Sequence, residues 1–222
     1  MVGQQAGRFE PEFSAMCGLE TGAPEAWAEL GTLTPPGQTV ALFMPALLNA
    51  PPSWKRVTQF GPVQMVQQRA REALQGPAGF VARPLTPRDA PAMLELVALT
   101  RPGPFGPCTG ELGLYLGLWD ESGPGSPRLA AMTGQRAQTP AACEVSAVCT
   151  HPDYRRRGLA RALVSQVAAH THASGLIPFL HADPDNAAAQ ATYLGLGFVL
   201  RQPMWVSVMR RGETSTPEVS IP

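Results

Sequence analysis

The chain has 222 residues, of which 44% are hydrophobic and only 15% are charged. This length suits one large domain or two small ones, and the hydrophobic fraction is enough to bury a sizeable core. Seventeen basic residues balance seventeen acidic ones. This balance argues against nucleic acid or an anionic membrane as the main partner, because both require a basic surface.

The four cysteines, Cys17, Cys108, Cys143 and Cys149, show no CxxC pair and no zinc-finger spacing. Isolated cysteines in a chain of this kind predict a reducing, cytoplasmic compartment. The N-terminus lacks a basic start followed by an apolar run, and no apolar run is long enough to cross a bilayer. We therefore expect neither a signal peptide nor a membrane span.

Residues 1–78 predict a mixed region that is mostly β-structure. A short helix is expected at 24–30, and a strand stopped by proline is expected at 40–44. Two further strands, 55–60 and 63–68, are separated by Gly61-Pro62. No motif in this region indicates a function.

The glycine- and proline-rich segment 75–79 predicts a domain boundary. Thr86-Pro87 then starts a helix, with threonine as the N-cap and proline in the first turn. A proline-rich loop must end this helix at 101–107. The strands expected after the boundary are 80–86, 117–120, 128–136, 144–150, 178–182, 199–202 and 204–210, and a helix is expected at 186–196.

The segment 142–165 has the most distinctive pattern in the chain. Residues 144–150 are rich in β-branched side chains, which favours a buried strand, and Pro152 stops it. Three arginines and Gly158 follow. An apolar residue then recurs at every fourth position, which predicts a helix beginning near Gly158: Leu159, Leu163 and Val167.

A helix start exposes unpaired N–H groups and the positive end of the helix dipole, so it attracts anions and above all phosphates. Gly158 and Ala160 have small side chains, so a ligand could approach the backbone closely. The simpler interpretation is a surface turn with solvated arginines. The buried strand before the turn and the amphipathic helix after it favour the anion site.

Two blocks of this sequence resemble the GNAT (N-acetyltransferase) superfamily. Arg155-x-x-Gly158-x-Ala160 resembles the loop with which that family binds the pyrophosphate of acetyl-CoA. The surrounding EVSAVCTHPDYRRRGLARAL is similar to the glycine-acyltransferase-like branch. FLHADPDNAAAQATYLGLGF, at 179–198, resembles the family pattern Asn-x6-Tyr-x4-Gly-Phe.

The resemblance implies an α/β (α+β) fold, in which helices flank a mixed, mostly antiparallel twisted sheet. It covers about residues 80–211, so we expect a GNAT domain at 79–211. Residues 1–78 would then be an N-terminal mixed α/β extension, or a degenerate half-copy of the same fold. The polar tail 212–222 is expected to be disordered.

The resemblance also implies roles for individual residues. Tyr193 would donate a proton to the leaving thiolate, and Glu144 would act as general base directly or through water. The backbone near Val148 would stabilise the oxyanion of the tetrahedral intermediate. The positions expected to bind acetyl-CoA are Val148, Cys149, Thr150, Arg155, Arg156, Arg157, Gly158, Leu159, Ala160 and Asn186.

Each role has a structural alternative. Asn186 could simply cap a helix, Tyr193 could pack in the core, and Glu144 could be a solvent-facing carboxylate at a strand end. Arg101 and Phe105 lie where the family binds its acceptor, although Arg101 could equally be an exposed arginine in a rigid turn.

Two positions depart from the family pattern. Cys108 stands where the branch has an arginine, which puts an anion contact there in doubt. Arg156 replaces a small residue of the loop.

The sequence thus predicts an acetyl-CoA-dependent N-acetyltransferase acting on a small-molecule amine by direct attack in a ternary complex. The alternative is a non-catalytic acyl-CoA-binding sensor or scaffold. No metal is expected, because His181, Asp183 and Asp185 are better explained by the second block than as metal ligands. The balanced charge argues against a nucleic acid or membrane partner. A homodimer and a longer acyl donor remain open.

Overall fold

The computed structural model describes residues 1–122 and 127–213. These residues form two compact units. One consists of residues 1–10, 15–61 and the chain from Met204 onward, and the other of 11–14 and 62–203. Most of the tail for which disorder is expected lies outside the described residues.

The chain folds into twelve strands and four α-helices within the described ranges. The strands are β1 (Ala6–Arg8), β2 (Met16–Leu19), β3 (Thr39–Met44), β4 (Trp54–Phe60), β5 (Val63–Val66), β6 (Val81–Pro84), β7 (Tyr115–Asp120), β8 (Arg128–Gln138), β9 (Ala142–Thr150), β10 (Ile177–Ala182), β11 (Val199–Pro203) and β12 (Trp205–Arg211). The helices are α1 (Pro24–Leu33), α2 (Ala90–Thr100), α3 (Leu159–Ala173) and α4 (Ala187–Gly195).

The first unit contains a five-stranded sheet in the order β1-β2-β3-β12-β4. Only the β2–β3 pair is parallel among these strands. Helix α1 contributes Trp27 and Leu30 to a hydrophobic core that also contains Val40, Leu42 and Met209. Strand β12, the last one in the described ranges, is an interior strand of this sheet.

The second unit contains a seven-stranded sheet in the order β11-β5-β10-β9-β8-β7-β6. Its pairs are antiparallel except β9–β10, which is parallel and joined by α3. Both sheets are mostly antiparallel and flanked by helices, which confirms the predicted mixed α/β class.

The two sheets exchange strands along the chain. Strand β5 lies between β10 and β11, while β12 lies between β3 and β4. The order β1-β2-β3-β12-β4 thus matches β8-β9-β10-β5-β11, with a helix between the parallel strands in both cases. The expected boundary near residue 79 does not divide the two units, because each takes one strand from beyond it.

Hydrophobic clusters cover the two faces of the seven-stranded sheet. Helices α3 and α4 pack on one face, where Val145, Val167 and Leu180 are buried. Helix α2 packs on the other face, where Met93, Met132 and Cys149 are buried. We call these the α3 face and the α2 face.

Several local expectations differ from the structure. Strands β1 and β2 were not expected, because the first twenty residues show no clear period. A short 3₁₀ turn at Thr109–Glu111 precedes strand β7, which begins at Tyr115, two residues before the strand expected at 117–120. None of the helices in the described ranges combines the length and apolar character that a membrane span requires.

Candidate active site

Strands β9 and β10 separate after three residue pairs. Pairing runs from Ala142–Ile177 to Glu144–Phe179, although β9 continues to Thr150 and β10 to Ala182. The two strands therefore enclose an opening, which we call the β9–β10 gap. Along this gap the backbone groups of β9 have no ladder partner on β10.

A β-bulge bends β9 at the edge of the gap. Gly134 pairs with Ser146 and Met132 pairs with Cys149, so β9 has one more residue than β8 over this stretch. Ala147, inside the bulge, has a φ of 51°, a value that non-glycine residues rarely adopt. Such a bulge redirects backbone groups, and it lies directly before Val148, the position expected to bind the oxyanion.

The arginine loop, residues 151–158, leads from the end of β9 into α3. Arg156 and Gly158 have φ values of 62° and 80°. Helix α3 has no side-chain cap at its N-terminus and no acidic residue in its first turn. The first N–H groups of α3 are therefore available to an anion.

The side chains of the arginine loop differ in how they are held. Arg157 lies over the ring of Tyr154 at 5.3 Å and donates to the carbonyl oxygen of Asp153 at 3.2 Å. The hydroxyl of Tyr154 in turn donates to Asp120 at 2.7 Å. Arg155, Arg156, Arg157 and Gly158 are exposed, Ala160 is half-buried, and Leu159 is buried and anchors the helix start in the core.

The three expected cofactor positions on β9 face different ways. Val148 packs with the α3-face cluster, whereas Cys149 is buried on the α2 face. Burial raises the pKa of the Cys149 thiol to about 11, although hydrogen bonds with the Thr100 side chain and the Met132 backbone act in the opposite direction. Thr150 pairs with Ala131 at the end of the strand. At Val148 and Cys149 the backbone, rather than the side chain, is therefore what can contact a ligand in the gap.

Tyr193 lies in the α3-face cluster with Val145, Leu180 and Val148, the residues that border the β9–β10 gap. Its ring meets Phe198 edge-on at 6.2 Å. Burial raises the pKa of the Tyr193 hydroxyl to about 12, so the phenol stays protonated at neutral pH. This location suits both packing and proton donation toward the gap.

Asn186 caps helix α4. Its side-chain oxygen accepts a hydrogen bond from the backbone N–H of Ala189 at 3.0 Å. The structure thus places Asn186 in the role that was its structural alternative, and its contact with a cofactor stays a prediction.

Glu144 does not have the surroundings of a general base. It is almost fully buried on β9, and Arg136 of β8 donates to both carboxylate oxygens at 2.9 and 2.8 Å. His181 lies 2.9 Å from one of the same oxygens through Nδ1. Burial alone would raise the pKa of Glu144, but His181 and Arg136 outweigh it and lower the pKa to about 2. A carboxylate with this pKa accepts a proton poorly at neutral pH, so neither expected role, base or solvent-facing carboxylate, fits.

Glu144 belongs to a polar network that crosses five adjacent strands and ends at the exposed Arg201. Arg136, Glu144, His181, Gln64 and Arg201 come in order from β8, β9, β10, β5 and β11. Arg201 donates to the side-chain oxygen of Gln64, so the amide nitrogen of Gln64 faces Nε2 of His181 at 3.3 Å. In this arrangement Nε2 of His181 faces a donor, the Gln64 amide nitrogen, and Nδ1 donates to Glu144.

The network could not be predicted from the sequence. Gln64 comes from the strand that enters this sheet from before the expected boundary, and Arg136 is predicted only as part of a strand. The sequence predicts His181 only as a packed strand residue. Period-two alternation could have placed Glu144 on one face of β9, but nothing in the sequence indicates its partners.

The two expected acceptor contacts lie in the loop after α2. Arg101 is exposed and ends α2 with a φ of 49°. Phe105 is half-buried and meets the ring of Tyr115 edge-on at 5.9 Å. A cavity of about 30 Å³, enough for a water molecule, lies beside Phe105, Met93 and Gly110.

Tyr115 of β7 is a buried residue that was not expected to be functional. Its side chain is 1% exposed, and its hydroxyl has no hydrogen-bond partner among the described residues. Leaving such a group unpaired typically costs about 1–3 kcal/mol. A buried hydroxyl without a partner requires an explanation, the more so because its ring packs against Phe105, an expected acceptor contact.

Within residues 1–122 and 127–213, no group of three or more His, Cys, Asp or Glu side chains could hold a metal ion. All four cysteines are free thiols.

Comparisons with known proteins agree on the family of this fold. The family model described as FR47-like protein matches residues 115–206. A protein from Novosphingobium aromaticivorans, assigned as an acetyltransferase of the GNAT family, is 31% identical with a TM-score of 0.82, over 96% of this chain and 91% of that one. No curated protein matches the sequence.

Two more distant structures share the fold. A GCN5-related N-acetyltransferase from Kribbella flavida is 15% identical, with a TM-score of 0.60 over 89% of this chain and 82% of that one. A tandem GNAT protein from the clavulanic acid biosynthesis pathway is 14% identical, with a TM-score of 0.57 over 90% and 77%. The chain belongs to the GNAT family of acetyltransferases, as its identity to the Novosphingobium protein shows.

Replacing Glu144 by Gln should destabilise the protein by about 3–5 kcal/mol, because Arg136 would remain buried without its counter-charge. The double variant Arg136→Met, Glu144→Leu should recover much of this loss. The free energy of unfolding in urea measures both effects. Asp153→Asn, which removes an exposed carboxylate paired with Arg128, is the matched control and should change the stability little.

The same ion pair predicts a pH dependence. Glu144 has a folded pKa of about 2 against an ordinary value of 4.5. Its stabilisation is therefore fully present above pH 4.5 and is lost as the pH falls from there through about 2. Glu144→Gln should show a smaller decline in unfolding free energy over this window than the wild type, and an equal decline would contradict the assigned pKa.

Proposed function

We propose that the protein transfers an acetyl group from acetyl-CoA to the amine of a small molecule, by direct attack in a ternary complex. The observation that supports this most strongly is the combination of the β9–β10 gap with the uncapped start of α3 at its mouth. A gap with free backbone donors and an adjacent anion site suits a thioester carried on a long phosphate-bearing arm.

In this proposal the arginine loop binds the pyrophosphate. The N–H groups at the start of α3 and the exposed side chains of Arg155 and Arg156 supply donors and positive charge. The small residues Gly158 and Ala160 let the phosphates approach the backbone. The backbone of β9 along the gap, at Val148, stabilises the oxyanion of the tetrahedral intermediate.

Tyr193 protonates the departing thiolate. It is protonated at neutral pH, since burial raises its pKa to about 12, and it packs among the residues that border the gap. A phenol that still carries its proton when the thioester breaks can donate that proton to the thiolate.

Glu144 is given a positioning role in place of its expected role as base. It holds Nδ1 of His181 at 2.9 Å, so the imidazole can accept the amine proton through Nε2. Gln64 contacts the same Nε2 at 3.3 Å, so its amide must give up this contact when the amine binds.

We further propose that the first unit is a half-copy of the GNAT fold. Its strand order matches that of strands β8 to β11, including the helix between the parallel strands and the exchanged strand. Its helix α1 begins with Pro24 and Glu25, and the connection 20–23 directly before it contains no arginine. An acidic first turn disfavours a phosphate, so this unit does not bind the cofactor.

The second candidate function is an acyl-CoA-binding sensor or scaffold without turnover. The ion pair of Glu144 with Arg136 favours it, because that pair removes the expected general base. We also propose a relation to the glycine-acyltransferase-like branch, which rests on the segment 142–165. A cytoplasmic location is proposed from the free cysteines.

Release of CoA thiol in the presence of a panel of small amines tests the proposed activity. We expect turnover in the wild type and a fall in kcat of about 100-fold or more in Tyr193→Phe, because the thiolate loses its proton donor. The affinity for acetyl-CoA should stay unchanged in this variant. Tight acetyl-CoA binding with no thiol release for any amine would favour the sensor.

The phosphate site is tested by two glycines, one at each end of helix α3, that share one conformation. Gly158 and Gly175 have φ values of 80° and 76°, and a Cβ added at either position would meet no other atom within 4 Å. Valine strains both positions equally, but only Gly158 lies in the arginine loop. Calorimetry should show CoA binding weakened at least tenfold in Gly158→Val and nearly unchanged in Gly175→Val. Equal affinities would place the pyrophosphate elsewhere.

A further inference from the structure

The ring of Tyr115 lies across the central strand β8. A Cβ on Gly134 would stand 2.3–2.5 Å from Cγ, Cδ1 and Cδ2 of this ring. Only glycine leaves room for the ring at this position. Gly134 is the partner of Tyr115 on one side and of Ser146 on the other, so the ring extends from β7 over β8 towards the bulge of β9.

The charges around the Tyr115 hydroxyl agree with this direction. Its electrostatic neighbours are Arg136, Glu144, Cys149 and Cys143, all on β8 and β9. Of these neighbours, Arg136 and Glu144 form a buried ion pair with each other. The hydroxyl is therefore buried near this ion pair and has no hydrogen-bond partner among the described residues.

The ring of Tyr115 contacts the loop for which an acceptor contact is expected. Phe105 of that loop packs edge-on against Tyr115. The ring belongs to the apolar cluster of the α2 face, which also contains Leu96, Met132 and Cys149. Because the Tyr115 side chain is only 1% exposed, an acceptor can reach the hydroxyl only if side chains that cover the ring, Phe105 among them, move aside.

We propose that the Tyr115 hydroxyl donates a hydrogen bond to an uncharged oxygen of the amine acceptor and thereby selects acceptors. This inference rests on the proposed acetyl transfer and names its substrate class: amines with an apolar body and a carbonyl or hydroxyl oxygen near the reacting nitrogen. Burial raises the pKa of Tyr115, which keeps the hydroxyl a donor at neutral pH.

Matched pairs of amines test the proposal. Phenylalaninamide and leucinamide carry an amide oxygen that phenethylamine and isoamylamine lack. In the wild type, kcat/KM should favour the amide of each pair. Tyr115→Phe should lower kcat/KM for the amides about tenfold, the cost of one lost hydrogen bond, and leave the simple amines unchanged.

Thermal unfolding separates this role from a structural one. Tyr115→Phe removes a hydroxyl without a partner, so its midpoint should equal or exceed that of the wild type. Thr34→Val is the matched control, because it removes another buried hydroxyl without a partner, in the unit of the five-stranded sheet. It should leave kcat/KM unchanged for all four amines.

Two other results would overturn the proposal. An amide preference that is unchanged in Tyr115→Phe would refute the role of the hydroxyl while acetyl transfer stands. If no amine is acetylated and none raises the thermal midpoint of the wild type with CoA bound, the acceptor site itself is refuted, and the proposed function fails with it.

Discussion

The end of the β9–β10 pairing at Glu144 and Phe179 is the constraint on which the rest of the site depends. In a regular parallel pair, evenly spaced hydrogen bonds join the two strands. Here they part, and the bulge at Ala147 turns the backbone of β9 away from its regular course. The separated strands expose backbone donors within an otherwise continuous sheet, and α3 starts near the C-terminal end of β9. Gap and anion site therefore come from one departure from regular pairing.

The polar network stands at the closed end of this gap. Burial of a carboxylate, a guanidinium and an imidazole is costly unless each is hydrogen-bonded. Here Arg136 forks onto Glu144, and Glu144 holds His181. One member, Gln64, is supplied by the exchanged strand β5. The exchange thus links the N-terminal half of the chain to the candidate chemistry of the second unit, although the sequence places that half outside the catalytic domain.

Local signals predicted the parts of the fold that depend on neighbouring residues. The helix after Gly158 and the strand before His151 follow from periodicity and from proline and glycine punctuation, and both are found within two residues of the expected ends. The arginine loop was recognisable because its pattern is contiguous. Strand pairing is decided by contacts between distant residues, so the exchange of β5 and β12 left no local signal. The same reason explains why Glu144 was assigned as a base: its partners lie on other strands. The position of the Tyr115 ring, and so of its unpaired hydroxyl, depends on Gly134, nineteen positions later in the chain.

The central claim is that acetyl-CoA enters the β9–β10 gap with its pyrophosphate at the start of α3. A crystal structure of the protein with acetyl-CoA tests it most directly. The account predicts the pantetheine arm between β9 and β10, the thioester carbonyl within hydrogen-bond distance of the backbone at Val148, and the phosphates on the N–H groups of residues 156–160. A cofactor bound outside this gap, or with its phosphates away from the arginine loop, would contradict the account.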